Sequence, residues 1–266
     1  MSRLSFNQIT SGHASLADAV NACVKRDVEW IAPWRHKLSA KPAEDARLIR
    51  EAGLKISSLC RGGMFPAATA EQRSERIDDN RRAIEEAATL GAQVLVLVCG
   101  PAPDRDLDGA RHMVEDAVAV LAPVARAAGV HLGIEPLHPM FAATRSVVAT
   151  LEQSLKMAER FGSEIGVVID AYHVWWDPKL YALIERASGN ILGFHVSDWI
   201  PLLAEPLMSR GMMGEGSIEL RRIRAAVDLA GYTGPIEVEI FNEALWRKPV
   251  EETVRLCAAR FEEHVV

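Results

Sequence analysis

The sequence predicts an α/β protein, a single (β/α)₈ barrel (TIM barrel) over residues 1–266, and three observations support this. The length of 266 residues is close to the roughly 250 typical of such barrels, although length alone would also permit two small domains. Six times, a helix-like stretch ends at a glycine and an apolar strand follows within a few residues. Over the whole chain, strand-like and helix-like segments alternate eight times.

The first two strands are recognised without a glycine. Residues 4–8 are strand-like, residues 16–26 have helical spacing, and residues 28–32 follow as a second strand. The other six strands follow glycines, which are preferred just past a helix C-terminus because glycine enters the left-handed conformation without a Cβ penalty. These glycines are Gly53, Gly91, Gly129, Gly162, Gly189 and Gly231. The eight strands are predicted near residues 4–8, 28–32, 54–60, 93–99, 130–135, 166–170, 191–196 and 235–240.

The segments between the strands are predicted to be amphipathic helices. Residues 113–125 carry apolar side chains at i, i+3 and i+4 spacing, and the last helix is expected near residues 249–263. Strands that are apolar throughout are buried on both faces, as in a parallel sheet. Such a chain can form an open doubly wound sheet or a closed barrel. Two features favour a closed barrel. The number of predicted strands is eight, and the first strand is followed by NQITSGH and not by the glycine-rich phosphate loop of many open sheets.

Composition and charge exclude several classes of protein. The net charge of −6 argues against a broad grip on nucleic acid, which needs a basic surface. No apolar run reaches the ~18 residues that span a bilayer, and the N-terminus lacks the layout of a secretory signal. The four cysteines are too scattered for a disulfide framework or a zinc knuckle. We therefore expect a cytoplasmic protein that binds neither nucleic acid nor membrane.

The strongest candidate site lies at the ends of the last four strands. Strand five ends at Glu135, strand six at Asp170, strand seven at His195 and strand eight at Glu239. Active sites of such barrels lie at the C-terminal ends of the strands, so these four side chains are expected to meet. Three carboxylates and an imidazole suit one divalent metal ion, Mn²⁺ first and then Mg²⁺, Co²⁺, Fe²⁺ or Zn²⁺. Without a cation, crowded carboxylates would force protonation of at least one.

Several motifs make the chain resemble the sugar phosphate isomerase/epimerase group of xylose isomerase-like barrels. The motifs are IEPLHP, DAYHVWWD, HVSDW, RGMMGEGSIEL and GYTGPIEVEIFNE. The group includes ketose 3-epimerases, hydroxypyruvate isomerase and inositol-catabolism enzymes, and the AP endonuclease 2 group shares its fold. The combination covers nearly the whole chain. It is specific for the superfamily and poorly specific for the substrate.

The resemblance implies a function and roles for individual residues. In the epimerases, the residues that match Glu135, Asp170, His195 and Glu239 hold the metal, and the two glutamates act as acid and base. The residue that matches His173 contacts a substrate oxygen or a second metal. The implied activity is isomerisation or epimerisation of a sugar, keto-sugar or related small hydroxy-carbonyl compound through a metal-stabilised enediolate, by a dimer or tetramer. Such a mechanism is chemically reasonable, because a proton alpha to a carbonyl is too weakly acidic to remove unaided.

Four further residues are predicted to contact the substrate. Arg210, in a glycine-rich loop after strand seven, is a candidate clamp for a substrate oxygen or phosphate, or else a solvated arginine. Arg61 begins the loop after strand three. Trp34 follows strand two and could form part of the wall of the substrate pocket. Asp198, in HVSD, either binds a second metal or holds a neighbour. His173 could instead orient Asp170 from outside the ligand shell.

Three other functions compete with an isomerase or epimerase. A metal-dependent dehydratase would use the same site, because an enolate beside a leaving hydroxyl eliminates water. A nuclease of the AP endonuclease 2 type needs further histidines at the ends of strands three and four, where Cys60-Arg61 and Cys99-Gly100 stand. A sugar-binding barrel without catalysis would not need both Glu135 and Glu239. We therefore expect the isomerase or epimerase, with the dehydratase as the alternative.

Overall fold

The computed structural model describes residues 3–201 and 205–266 and shows strands alternating with helices around a barrel. The strands are β1 (Leu4–Asn7), β2 (Trp30–Ala32), β3 (Lys55–Ile56), β4 (Leu59–Gly63), β5 (Val94–Val98), β6 (His131–Ile134), β7 (Ile165–Asp170), β8 (Ile191–Val196), β9 (Asp198–Trp199), β10 (Arg210–Gly211) and β11 (Ile236–Val238). The helices are α1 (Leu16–Val24), α2 (Pro42–Glu51), α3 (Ala70–Leu90), α4 (Leu107–Ala128), α5 (Leu151–Ala158), α6 (Ala171–Val174), α7 (Leu180–Arg186), α8 (Leu220–Leu229), α9 (Glu243–Trp246) and α10 (Val250–His264).

Nine of the strands form one parallel sheet that curls into a nearly closed barrel. Its order is β3-β2-β1-β11-β8-β7-β6-β5-β4, so the first and last strands of the chain are neighbours. An isolated parallel bridge joins Trp34, just beyond β2, to Cys60 in β4 and closes the remaining edge. The predicted (β/α)₈ barrel is confirmed. The short strands β9 and β10 pair separately in the loop region after β8.

The single strand predicted over residues 54–60 is wrong in detail, because it is two strands. The lower part, β3, pairs with β2, whereas the upper part, β4, pairs with β5. Ser57 and Ser58 lie at the break, and the Ser57 hydroxyl turns toward Glu237 at 2.8 Å. The apolar pattern around the serines resembles one strand because β3 and β4 occupy the same strand position in the barrel wall. Only the change of partner separates them.

The helices alternate with the strands as predicted, but one of the six glycines expected to end a helix does not do so. Five of the six glycines have positive φ and end a helix or its last turn, as expected. Gly162 does not, because α5 ends earlier, at Ala158, and Gly162 lies in the turn that follows. A Cβ at Gly162 would lie 2.5 Å from an oxygen of Glu164, which is the end of a flexible side chain and could shift to make room. Two one-turn helices, α6 and α9, add to the eight predicted ones and follow β7 and β11.

The core lies in the strands and in the faces that the helices turn toward them. All five residues of β5 and all six of β7 are buried, as expected for parallel strands covered on both faces. The four cysteines are buried and unpaired. In the described part of the chain, none of the helices combines the length and apolar character needed to cross a membrane.

Candidate metal centre and active site

Four side chains converge at the C-terminal ends of four neighbouring strands. Asp170 is the last residue of β7, and His195 is the penultimate residue of β8. Glu135 and Glu239 directly follow β6 and β11. One ligand atom from each of the four lies within 4.8 Å of the others, and all four residues are buried. The structure thus brings together the four side chains that the sequence singles out as metal ligands.

The orientation of these side chains fits a cation between them. His195 Nδ1 faces Glu135 Oε1 at 3.3 Å and Glu239 Oε2 at 3.9 Å. Within the described residues, neither His195 Nδ1 nor Glu135 Oε1 has a hydrogen-bond partner, although both are buried. A buried polar atom without a partner is costly, so its presence calls for an explanation such as a bound ion. Three carboxylates and one imidazole form a donor set suited to a hard or borderline divalent ion.

Glu237 is a functional candidate that the sequence analysis missed. It lies in β11, two residues before Glu239, and is only 3% exposed. Its Oε2 lies 3.3 Å from His195 Nε2, on the side of the imidazole that faces away from Glu135. Asn7 donates to Glu237 Oε2 at 2.9 Å, and Ser57 donates to its Oε1 at 2.8 Å. His195 Nε2, like Nδ1, has no hydrogen bond among the described residues, so Glu237 faces the imidazole as a neighbouring charge on the side away from the candidate metal site.

A sequence signal for Glu237 exists in the run EVE. Residues two apart on a strand point to the same side of a sheet, so Glu237 and Glu239 must share the barrel interior. Asn7, at the end of β1, joins them, because its amide donates to Glu237 at 2.9 Å and to Glu239 at 3.3 Å. The sequence alone shows that Glu237 and Glu239 point to the same side of the sheet. It does not show that Asn7 contacts them, because they lie at the other end of the chain, on the last strand of the barrel.

Arg210, a predicted substrate contact, lies inside the cluster. Its guanidinium donates to Asp170 Oδ2 at 2.8 Å and to Glu239 Oε2 at 3.1 Å. The rings of Tyr172 and Phe241 lie 4.5 and 5.1 Å from its central carbon. Such a buried arginine offsets the charge of two carboxylates and is held in place by aromatic packing. Its predicted contact with substrate stays a prediction.

His173 lies beside the cluster, next to Asp170, and its predicted contact with substrate stays a prediction. Its Nδ1 accepts a hydrogen bond from the backbone N–H of His138 at 3.2 Å. Its Nε2 lies 3.1 Å from Arg210 and 3.6 Å from Asp170. Burial lowers the pKa of His173 to about 3, although Asp170 acts against this shift. The imidazole is therefore neutral at physiological pH.

The ionisable groups of the cluster differ in their protonation. Burial raises the pKa of the Glu239 carboxyl to about 7, although Arg210 opposes the shift. Burial also disfavours the charged form of Asp170, but the charge of Arg210 holds its pKa below the usual range. For His195, burial is outweighed by Glu237 and Glu135, and the pKa rises to about 10. Glu239 is thus the carboxyl that can exchange a proton near neutral pH.

Trp34 and Arg61 lie beside the cluster rather than in it. Trp34 Nε1 donates to Asn7 Oδ1 at 2.7 Å, which links the indole to the residue that holds Glu237 and Glu239. Trp34 and Arg61 also line a pocket of about 380 Å³. Their predicted contact with substrate stays a prediction.

Asp198 has a different position from the other predicted site residues. Its carboxylate accepts hydrogen bonds from the backbone N–H groups of Trp199, Gly214 and Ile218, at 2.9 to 3.0 Å. The structure does not place it among the four candidate ligands. Of the two roles considered for Asp198, these bonds favour the holding of its neighbours, because they fix the loop that carries Arg210.

The chain is similar to known proteins over most of its length. The family model described as xylose isomerase-like TIM barrel matches residues 18–260. A crystal structure of protein SMc04130 from Sinorhizobium meliloti 1021 is 47% identical in sequence and covers 98% of each chain, with a TM-score of 0.96.

Two enzymes with weaker similarity differ in their reactions. A 3-dehydroshikimate dehydratase of Pseudomonas aeruginosa is 26% identical over 217 residues, which is 78% of this chain and 33% of the relative. The chain thus spans about a third of the length of that dehydratase. The L-ribulose-5-phosphate 3-epimerase UlaE of Shigella flexneri is 22% identical over 215 residues, covering 79% of this chain and 72% of the relative. With residues 18–260 matched, the chain belongs to the xylose isomerase-like TIM barrel family.

Proposed function

We propose that the protein is a divalent-metal-dependent isomerase or epimerase of a sugar, keto-sugar or related small hydroxy-carbonyl compound. The observation that carries this proposal is the pairing of two buried glutamates, Glu135 and Glu239, within one cluster of candidate metal ligands. A site that only binds sugar needs no such pair. A site that moves a proton on carbon needs a carboxylate that accepts the proton and a group that returns it.

The metal would be held by Glu135, Asp170, His195 and Glu239. When bound, a divalent ion supplies a Lewis acid that polarises the carbonyl and stabilises negative charge on its oxygen. Mn²⁺ is our first choice, because oxygen donors dominate the set and one imidazole accompanies them. Glu237 would keep the His195 ring in the orientation that turns Nδ1 toward the three carboxylates.

The protein's own groups then account for the proton transfer. Glu239 would accept the proton from the carbon and return it. Glu135, the other buried glutamate of the cluster, would act as the second proton carrier. Arg210 orients Glu239 and offsets its charge in the deprotonated state. The burial of both carboxyls keeps competing water away from them.

The test is hydrogen exchange at carbon. The Mn²⁺-loaded protein is incubated with a panel of ketoses in D₂O, and deuterium alpha to the carbonyl is measured by NMR. We expect incorporation by the wild-type protein and a loss of more than about tenfold in Glu239→Gln, which removes the base. Glu85→Gln, an exposed position on α3, is the matched control and should exchange normally. Absence of deuterium with every ketose would contradict the proposal, and unchanged exchange in Glu239→Gln would reject its role as base.

A second candidate, a metal-dependent dehydratase, is favoured by one specific observation. The relative with 26% identity is a 3-dehydroshikimate dehydratase. Removal of a proton next to a carbonyl is common to both reactions, and they part when a hydroxyl leaves from the adjacent carbon. Mass spectrometry of the products separates them, because an isomer keeps the substrate mass and a dehydrated product has lost one water.

A further inference from the structure

Arg61 and Arg145 differ from the other partly buried arginines of the described chain. Both are partly buried, yet neither has a hydrogen bond or ion pair from its side chain within the described residues. The others in this class each bond to a carboxylate or a carbonyl; they are Arg3, Arg35, Arg73, Arg76, Arg81, Arg111, Arg224 and Arg260. Neither contributes a nitrogen to the fully buried, unpartnered polar atoms of the described residues, so both guanidiniums remain open to solvent. A guanidinium is always charged, so two such groups at one end of the barrel are available to bind an anion.

Arg61 lines the pocket of about 380 Å³, which none of the four candidate metal ligands lines and which Trp34 links to Glu239 through Asn7. The pocket lies between residues 34–36, just beyond β2, and residues 61–64 at the end of β4, so Arg61 lies within a strand and not at the start of a loop as predicted. A second arginine in its wall, Arg35, is already paired with Asp79 at 3.0 Å and Glu86 at 2.6 Å. Arg61 is therefore the arginine of this pocket that is free to bind a ligand.

Arg145 lies between this pocket and the metal centre. Its neighbour Ser146 forms a backbone bridge with Gly100, and a Cβ on Gly100 would lie 2.9 Å from Met64, which lines the pocket. On its other side, the backbone N–H of Arg145 donates to Phe141, whose ring lies 5.7 Å from that of His173.

The charges around Arg145 agree with this position. Burial lowers the pKa of Arg145, and the charges of Arg61 and Arg210 act in the same direction. Glu135 and Glu239 act against the shift. Arg145 is therefore within electrostatic range of both the pocket and the metal centre. Glu135 and Glu239 do not serve as anionic partners of Arg145, because both are candidate ligands of the metal.

We propose that Arg61 and Arg145 form an anion subsite at the barrel mouth that binds a carboxylate or phosphate group of the substrate. The proposal rests on the proposed function and adds the substrate class to it: an anionic hydroxy-carbonyl compound rather than a neutral sugar. Planar guanidinium groups match the oxygens of carboxylates and phosphates and form strong, charge-assisted hydrogen bonds with them. Neutral sugar hydroxyls would form no charge-assisted bond with either guanidinium.

Three small hydroxy-carbonyl compounds test this charge preference directly. Dihydroxyacetone is neutral, hydroxypyruvate adds a carboxylate, and dihydroxyacetone phosphate adds a phosphate. Their dissociation constants with the Mn²⁺-loaded protein are measured by titration calorimetry. We expect at least one anionic compound to bind more than about tenfold more tightly than dihydroxyacetone. The tighter of the two anions identifies the chemical source of the charge.

Variants then assign the preference to the two arginines. Arg61→Gln and Arg145→Gln should each weaken anion binding by about tenfold and the double variant by more, whereas the affinity for dihydroxyacetone stays unchanged. Arg105→Gln, at an exposed position, removes the same charge elsewhere and serves as the control. Mn²⁺ content and thermal melting confirm that each variant is folded and loaded.

Two results would overturn the anion subsite. The first is that neither anionic compound binds more tightly than dihydroxyacetone, and a lack of binding by all three compounds counts as this result. The second is full anion affinity in the double variant. Neither result concerns proton transfer, which deuterium exchange tests separately. Exchange without charge preference would thus reject the subsite alone, and charge preference without exchange on any compound would reject the enzyme function alone.

Discussion

The two sides of the barrel mouth differ in the chemistry of their strand ends. On one side, β6, β7, β8 and β11 lead to three carboxylates and an imidazole whose ligand atoms lie within 4.8 Å of one another. On the other side, β2 is followed by Trp34, β4 contains Arg61, and β5 is followed by Cys99. The candidate metal ligands thus all come from four neighbouring strands. In our proposal, the opposite side contacts the molecule on which they act.

The cysteines on the second side show why it does not extend the metal centre. Burial raises the pKa of Cys99 to about 12 and holds that of Cys60 well above its usual range. Both are buried thiols in apolar surroundings, where cysteine behaves as a small hydrophobic residue. A multinuclear centre of the nuclease type would need histidines at these strand ends, and the sequence has none there.

The largest expected effect is on the acidic side. Asp170→Asn should weaken Mn²⁺ binding by about 100-fold or more, because a charged ligand becomes a neutral amide. The change keeps an oxygen for the bond that Asp170 accepts from the Tyr172 N–H at 2.9 Å, so the local fold is preserved. Equilibrium dialysis with metal analysis measures the affinity, and Asp116→Asn, exposed on α4, is the control. Full occupancy in Asp170→Asn would count strongly against the four-ligand centre.

A somewhat smaller effect is expected from Glu237, which contacts a ligand and not the metal. Glu237→Gln should weaken Mn²⁺ binding by about 10- to 100-fold, because His195 loses the carboxylate that faces its Nε2 at 3.3 Å. ¹⁵N NMR of His195 should show a change in tautomer or ring orientation, which a mere loss of stability would not produce. If the Kd for Mn²⁺ and the ¹⁵N spectrum of His195 both match those of Glu85→Gln, Glu237 has no role in positioning His195.

The pH dependence of metal binding sharpens the difference between two ligands. His195 must lose a proton to bind metal at any pH below about 10, so the apparent Kd for Mn²⁺ rises about tenfold for each unit that pH falls. Glu239 adds a second competing proton below about pH 7, and the dependence steepens there. Titrations between pH 5.5 and 8.5 (roughly, the range in which the metal stays soluble) measure both slopes. Glu239→Gln should remove the steeper part, and a single slope in the wild-type protein would contradict the raised pKa of Glu239.

The smallest effect on metal binding is expected from the opposite side. Trp34→Phe removes the bond from Nε1 to Asn7 and part of the pocket wall. We expect the KM for substrate to rise several-fold while the Kd for Mn²⁺ changes by less than about threefold. Trp30→Phe, at the opposite end of β2, is the matched control. A large loss of metal affinity in Trp34→Phe would show that the two sides are not separate.

The sequence by itself determined the alternation of strands and helices and the identity of the four converging side chains. Both are local properties, because apolar runs, helix-ending glycines and the last residue of a strand are read along the chain. Parallel strands bring their C-terminal ends to one face, so the order of residues along the chain is enough to place Glu135, Asp170, His195 and Glu239 together. The single strand expected over residues 54–60 could not be divided correctly, because its two halves differ only in their partners.

The tertiary structure decided how the cluster is supported and balanced. Asn7 and Glu237 are 230 residues apart and meet only because the first and last strands are neighbours in the closed barrel. Arg210 reaches Asp170 and Glu239 across 40 and 29 residues, through a loop that Asp198 fixes. Such contacts leave no periodic pattern in the sequence, since the energy that selects them comes from burying charged groups beside partners. Burial and neighbouring charge, which set the pKa of Glu239, exist only in the folded chain.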